Sequence, residues 1–266
     1  MARMQPQIVS IGAEQHADLR DVFDWLQQRG AQHFATCEEA LEALATDRPS
    51  MQWIVLLAAH RGAFEPAALE ALHRRAPLAR LVVVCGSWCE GELRSGRALS
   101  GVTRVYWHQF VERAEAALVE QGDFAGWRLP RTATAIDVSL QLRRQEAQPL
   151  TDPSIGILAS RAEATAIGEA LAACGVSSVW VRDEHDLPDD LPALIWSGPS
   201  LAARPEVVLR VPTVALLNFP RQSEWQLARE LGFVGVLGKP FLLGDLRGQL
   251  LRLGFLPAAE IMRQAG

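Results

Sequence analysis

Lysine is almost absent from this sequence. All but one of its 26 basic side chains are arginine, and Lys239 is the single lysine. The planar guanidinium of arginine does not reproduce a compact ammonium point charge. A position that has kept lysine in this composition is therefore a candidate functional position.

Cysteines are few, and long apolar runs are missing. Four cysteines in 266 residues do not make the disulfide framework of a small secreted domain, so we expect reduced thiols. No apolar run approaches the roughly 20 residues that a membrane-spanning helix needs, and the first residues have no apolar signal core. We therefore expect a cytoplasmic protein with no membrane partner.

Neither sign of charge is in large excess. The 26 basic and 31 acidic side chains give a net charge of -5, which argues against a general nucleic-acid-binding role. The hydrophobic content of 49% is ample for buried cores. We expect a folded chain of one large or two ordinary domains.

Short apolar strands alternate with amphipathic helices twice along the chain. One of the helices opens on the capping box Thr36-Cys-Glu-Glu39. The predicted strands of the first half are 7–12, 32–35, 53–58, 81–85 and 104–107, and those of the second are 155–159, 179–182, 193–196, 211–217 and a run ending at Gly238. Such alternation predicts α/β architecture, with a doubly wound five-stranded parallel sheet of flavodoxin-like order 2-1-3-4-5 in each half.

The alternation stops between the two halves. Gly126, two prolines and four arginines fall in a stretch that we predict to be a linker, 125–152, between domains 1–124 and 153–266. The arginines are compatible with a binding surface or with a solvated linker face. Segment 105–110 aligns with 236–241, which favours an internal duplication.

The stretch Gly232-Phe-Val-Gly-Val-Leu-Gly-Lys-Pro-Phe241 is followed by leucines at 243, 246, 250 and 253, the spacing of a helix packed on a sheet. It resembles the last strand and helix of a response-regulator receiver domain, the CheY-like fold. The resemblance implies that Lys239 ends the fifth strand, that Pro240 closes the next turn, and that the ammonium faces an acidic, phosphorylatable pocket. In the first half, His108 and Gln109 stand in place of this pair.

The acids of a working receiver are missing from the strand ends. By the resemblance, two acids after strand one hold magnesium, an aspartate ends strand three, and a Ser or Thr follows strand four. The second half offers only neutral groups there, which are Ala159, Ser160, Trp196, Ser197 and Asn218. We therefore predict degenerate receivers, with Lys239, Pro240, Asn218 and Ser197 as the remnant of the second site.

Lys239 has no acidic partner among those strand ends. An ammonium without a partner is costly to bury, so we expect it to be partly exposed. Replacing Lys239 with methionine should then change the free energy of unfolding by less than about 1 kcal/mol.

The first half carries a different set at its strand ends. Ligands of open α/β sheets collect at these ends, so we define a candidate pocket of His60, Cys85, Ser87, Cys89, His108 and Glu14. Two cysteines and two histidines, Cys85, Cys89, His60 and His108, could hold zinc or supply a Cys–His nucleophile. The alternative is that the cysteines are small buried hydrophobes and the histidines cap strands. Because the Cys-x3-Cys spacing is not the usual two-residue knuckle, we predict no metal and no cofactor.

No catalytic triad, Walker loop or dinucleotide fingerprint is present. The favoured function is a non-catalytic signalling or regulatory protein of two pseudo-receiver domains, acting on a protein partner, with a homodimer left open. Two alternatives remain: a phosphorelay response regulator with an unconventional acceptor, and a metal-binding protein or Cys–His enzyme that uses the first-half cluster.

Overall fold

The computed structural model describes residues 7–46, 53–89, 99, 101–118, 154–201 and 211–255. The chain divides into two compact units, 1–134 and 135–266. The division falls within the predicted linker 125–152, which lies outside the described residues. The predicted boundaries of the linker therefore stay a prediction.

The first unit contains a five-stranded parallel sheet in the order β2-β1-β3-β4-β5. The strands are β1 Ile8–Gly12, β2 Gln32–Phe34, β3 Trp53–His60, β4 Arg80–Trp88 and β5 Thr103–Tyr106. Its helices among the described residues are α1 Arg20–Gln28, α2 Cys37–Thr46, α3 Pro66–Arg75 and α4 Trp107–Leu118. A short 3-10 helix, Ala17–Leu19, precedes α1.

The second unit contains a parallel sheet in the order β10-β9-β8-β6-β7. The strands are β6 Ile155–Leu158, β7 Ser178–Val181, β8 Leu194–Trp196, β9 Thr213–Asn218 and β10 Gly235–Lys239. The helices among the described residues are α5 Arg161–Ala173, α6 Gln222–Glu230 and α7 Leu243–Arg252. Counted within each unit, both sheets have the order 2-1-3-4-5, so the predicted fold is confirmed.

Burial explains why the central strands form where they do. All residues of β3 are buried except the last, His60, as is typical of a parallel strand covered by helices on both faces. The predicted capping box is present at the start of α2: Thr36 Oγ1 accepts the Glu39 N–H at 3.2 Å, and the Glu39 carboxylate accepts the Thr36 N–H at 3.4 Å. Local polar groups thus set the helix start, and apolar runs set the strands.

Gly12 lets the chain leave β1 close to the neighbouring strand. Its φ is +111°, and a Cβ there would lie 2.8 Å from the Leu57 carbonyl oxygen. Both features require glycine. The turn delivers the following segment to the carboxyl edge of the sheet.

Each unit has a hydrophobic core of its own. In the first, β1, β3 and β4 pack against α2 and α3 through buried side chains such as Ile54 and Leu56. In the second, the central strands pack against α5 and α7 through side chains such as Ile157 and Leu250. Within the described residues, no helix is long and apolar enough to span a membrane.

Because each core is built within one unit, the fragments 1–124 and 153–266 should fold independently. We expect each to unfold cooperatively in urea when followed by circular dichroism. Leu56→Ala, which removes a fully buried side chain, should lower the midpoint of the first fragment by an amount equivalent to about 2–5 kcal/mol. A gradual transition in either fragment would contradict the proposed domain boundaries.

Candidate functional site at the carboxyl ends of the strands

The second unit gathers a charged cluster at the carboxyl edge of its sheet. Lys239 ends β10, and its Nζ donates to Glu163 Oε1 at 2.8 Å and to Ser197 Oγ at 3.1 Å. Ser197 directly follows β8, and its hydroxyl donates to the same carboxylate oxygen at 3.1 Å. We call these three residues the Glu163–Lys239–Ser197 cluster.

Helix α5 supplies the carboxylate. Its N-cap residue, Ser160, accepts the Glu163 N–H at 3.4 Å and donates its hydroxyl to Glu163 Oε2 at 2.9 Å. Both carboxylate oxygens of Glu163 are therefore hydrogen-bonded. A carboxylate in the first turn of a helix also interacts favourably with the helix dipole.

The cluster holds Glu163 in its charged form. The hydrogen bond from Lys239 lowers the pKa of Glu163 below its ordinary value of 4.5, and the Ser160 and Ser197 hydroxyls and the Lys239 charge act in the same direction, while burial opposes them. The side chains of Lys239 and Glu163 are 24% and 39% exposed. The pair is therefore a partly hydrated ion pair with a buried serine, which is 7% exposed, beside it.

The expectation that Lys239 has only neutral neighbours is wrong. Its partial exposure is as expected, but Glu163 pairs with it. The strand-end comparison missed this acid because Glu163 lies five residues beyond the end of β6, on a helix. A signal was present: Ser160-Arg-Ala-Glu163 has the same Ser/Thr-x-x-Glu spacing as the capping box at Thr36, which places a glutamate at the start of a helix.

The remaining members of the predicted remnant lie beside Lys239. Asn218 is its register partner on β9 and is exposed. The N–H of Phe219 donates to the Lys239 carbonyl at 3.2 Å, and Pro240 follows through a cis peptide bond. Neither Asn218 nor Pro240 supplies a charge to the cluster.

The first unit also places an acid at its carboxyl edge. Asp18, in the short 3-10 helix after β1, is buried, and its Oδ2 accepts the backbone N–H of Ser87 on β4 at 2.8 Å. The side chain of Glu14, the acid proposed from the sequence, instead lies 3.4 Å from His33 Nε2, on the edge strand β2. Asp18 is thus the carboxylate that the sequence comparison missed in this unit.

His108, which aligns with Lys239, does not replace the ammonium. The pKa of His108 is lowered to about 3, chiefly by burial and then by the nearby Arg113 charge, while Asp18 acts in the opposite direction. The imidazole is therefore neutral at physiological pH. A neutral ring cannot supply the charge that Lys239 carries in the second unit.

The proposed Cys/His cluster is not assembled. His60 is exposed, with Nδ1 2.9 Å from the Arg61 carbonyl oxygen, whereas Cys85 and Cys89 are buried in the core under α2 and α3. Among the described residues, no group of three or more His, Cys, Asp or Glu side chains is arranged to hold a metal ion. The zinc alternative, based on His60, Cys85, Cys89 and His108, therefore has no site.

A magnesium ion does not fit the second unit either. A receiver-type magnesium site needs several oxygen ligands that carry negative charge. The cluster offers one carboxylate, Glu163, which is committed to Lys239. The residues present do not suit the cation.

Three polar side chains of the first unit, Ser10, His33 and Glu14, are connected in the order of a catalytic triad, but the serine is not accessible to a substrate. Ser10 Oγ lies 3.0 Å from His33 Nδ1, and His33 Nε2 lies 3.4 Å from Glu14 Oε2. Ser10 is fully buried in the middle of β1. A nucleophilic serine must reach its substrate, so this row satisfies a buried hydroxyl and does not form a catalytic site.

The ion pair should contribute measurably to stability. Because Glu163 pairs with Lys239, Lys239→Met should lower the free energy of unfolding by about 1–2 kcal/mol, and not by the less than about 1 kcal/mol expected from neutral neighbours. The variant removes an ion pair and the hydrogen bond that Ser197 accepts from Lys239. A double-mutant cycle with Glu163→Gln should give a coupling energy of about 1 kcal/mol. Glu169→Gln, an exposed position on the same helix, is the control and should couple to Lys239 by nothing measurable. A coupling energy of zero for Glu163 would contradict the ion pair.

The Glu163–Lys239 ion pair should make the free energy of unfolding depend on pH in the acidic range. The folded-state pKa of Glu163 lies below its ordinary 4.5, so the stabilisation is complete above that value and is lost as the pH falls through the lowered folded-state pKa. The stability difference between the wild type and Glu163→Gln should be constant near neutral pH and shrink below about 4.5. Urea titrations across this range measure it, and a difference that grows in acid would argue against the assignment.

Comparison with solved structures finds receiver proteins at low similarity. A response regulator receiver protein from Burkholderia phymatum is 17% identical, with the match covering 40% of this chain and 99% of that chain at a TM-score of 0.32. A probable two-component system response regulator/GGDEF domain protein is 11% identical, over 93% of this chain and 97% of that chain, at 0.31. Full-length ShkA in complex with AMPPNP is 18% identical, over 93% of this chain and 50% of that chain, at 0.29.

No family model matches the sequence, and no curated protein matches it significantly. TM-scores and identities this low carry no argument about activity. The fold assignment therefore stands on the strand order and register of the two sheets.

Proposed function

We propose that this chain is a non-catalytic signalling or regulatory protein built from two receiver-like domains that lack a phosphoacceptor aspartate. The observation that carries the proposal is the internal pairing of Lys239 with Glu163 at 2.8 Å. In this proposal the ammonium that would meet a phosphoryl group is already neutralised by the protein itself.

In this proposal, the described carboxyl edge of the second unit does not supply the charges that phosphoryl transfer needs. Catalysis of this transfer depends on positioning and on neutralising the charge of the phosphoryl group. Ser197 stands after β8 in place of a carboxylate, and its hydroxyl is held by Lys239 and Glu163. Because Glu163 is paired with Lys239, the described residues of the cluster supply neither an acceptor carboxylate nor a carboxylate free to hold magnesium.

The first unit lacks the same parts in a different way. Its β3 ends on the exposed imidazole of His60. The neutral His108, which aligns with the lysine in sequence, lies in α4 and not at the end of a strand as expected. The buried Asp18 is committed to the Ser87 N–H. Within the described parts of the two sheet edges, we therefore find no combination of acceptor, ammonium and metal ligands.

A protein partner is the ligand class that the surface of the second unit favours. Phe219 follows β9 and Leu242 follows β10, and these side chains are 45% and 54% exposed at the ends of neighbouring strands. Large apolar groups left in water at one edge of a domain are typical of an interaction site. A regulatory role through contact with another protein needs no chemical step at the cluster.

Treatment with acetyl phosphate and magnesium should leave the mass of the protein unchanged. A competent receiver domain in the same mixture is the positive control. Ser197→Asp should also remain unmodified, because the restored carboxylate still lacks the acids that hold magnesium. The proposal fails if the wild-type protein gains a phosphoryl group that maps to Ser197 or His60, since the unconventional-acceptor alternative would then hold.

A further inference from the structure

A cavity in the first unit borders His60 and has no role in the proposed function. Its volume is about 180 Å³, and it lies at the carboxyl end of β3, beside Val83 in the middle of β4 and the start of α3. The rim includes the exposed segment 60–63, and the floor includes the buried Ala58 and Val83. Its volume is enough for a small polar molecule together with water.

Three contacts join the sulfur atoms of Cys85 and Cys89 to residues that line this cavity. The Cys89 thiol donates to the Ala58 carbonyl oxygen at 3.4 Å, and the Cys85 thiol points to the Val83 carbonyl oxygen at 4.0 Å. The guanidinium of Arg104, another lining residue, donates from Nη2 to Cys85 Sγ at 3.2 Å. Both cysteines are only 2% exposed and neither lines the cavity itself, but each sulfur contacts a residue that does.

The backbone brings the two cysteines toward each other. A hydrogen bond of 3.0 Å from the Cys89 N–H to the Gly86 carbonyl closes a turn immediately after Cys85. Ala58, whose carbonyl accepts the Cys89 thiol, is the register partner of Cys85 on the neighbouring strand. Paired residues on adjacent strands lie about 4.8 Å apart, so both sulfurs lie over the same small area of the sheet.

Contact with Arg104 makes the environment of the Cys85 sulfur different from that of the Cys89 sulfur. The nucleophilic form of cysteine is the thiolate, and a neighbouring guanidinium stabilises that negative charge. Cys85 is in contact with this cation, whereas the Cys89 sulfur contacts a neutral carbonyl oxygen. Cys85 is therefore the attacking sulfur and Cys89 the resolving one.

We infer that Cys85 and Cys89 form a redox-active thiol pair that a small hydroperoxide, entering through the cavity, oxidises to a disulfide. The Cys85 thiolate attacks the peroxide, so that an S–O bond forms, the O–O bond breaks, and the leaving alkoxide takes a proton to become an alcohol or water. Cys89 then attacks the Cys85 sulfenic acid, an S–S bond forms, and water leaves. Two thiols and one hydroperoxide give one disulfide, one alcohol or water, and one further water, with two electrons passing to the peroxide.

The other two cysteines make internal controls. Burial, and to a smaller extent the charge of Glu38, raise the pKa of Cys37 to about 11, so its thiol is inert at neutral pH. The Cys174 thiol lies 4.0 Å from the Leu243 carbonyl oxygen in the core of the second unit.

The test uses the full chain carrying Cys37→Ser and Cys174→Ser, which leaves only the proposed pair. Hydrogen peroxide at neutral pH should remove the mass of two hydrogens without forming a dimer, and a dithiol reductant should restore it. Trypsin cuts after Arg80 and Arg94, so the linked pair should appear within the single peptide 81–94. Cys89→Ser should instead leave a sulfenic acid on Cys85 that dimedone traps.

Arg104→Met should slow the oxidation about tenfold, because the thiolate loses its cation. Arg80→Met, at the opposite end of β4, should oxidise at the wild-type rate. The inference is overturned if the folded double-serine chain keeps its mass in peroxide, if its thiols react only after unfolding, or if the product is an intermolecular dimer. An unchanged rate in Arg104→Met would remove the guanidinium from the proposed step.

Discussion

Parallel pairing brings the carboxyl ends of all the strands to one edge of each sheet, and the polar groups that meet there must satisfy one another. A charged group at such an edge is only partly hydrated, so it is stable only with a partner. In the second unit this constraint joins Lys239, Glu163 and Ser197. Strand register determines which residues lie close together at the edge. The hydrogen bonds and ion pairs that form there depend on which of their side chains are within contact distance.

The two units meet this constraint with an acid from the same part of the fold. Each acid lies in the helical segment that follows the first strand of its unit: Asp18 in the short 3-10 helix after β1, and Glu163 in the first turn of α5 after β6. In the second unit the acid binds an ammonium, whereas in the first it binds a backbone N–H, since the aligned residue there is a neutral histidine. The position of the acid is shared, and the group that it binds differs.

The strands could be predicted from the sequence, because a fully apolar run such as β3 is typical of a strand that is buried on both faces. The topology could be predicted because strands that alternate with helices can be connected in only a few ways. The partners at the sheet edge could not. Whether a helix side chain contacts the end of a strand depends on the length of that side chain and on the direction of the helix. A comparison of strand ends alone therefore did not identify Glu163. The Cys/His set failed for a related reason: Cys85 faces the core beneath α2 and α3, whereas the electrostatic neighbours of His108 are Asp18 and Arg113.

The partial exposure of the Glu163–Lys239 pair explains why the edges of two similar sheets can differ so widely. A pair with 24% and 39% of its side chains exposed contributes about 1 kcal/mol, whereas a single buried leucine such as Leu56 contributes about 2–5 kcal/mol. The cores therefore hold the fold, and the groups at the carboxyl edge can change at little cost to stability. An ion pair in one unit and a thiol pair beside a cavity in the other are compatible with the same arrangement of strands, because neither is needed to form it.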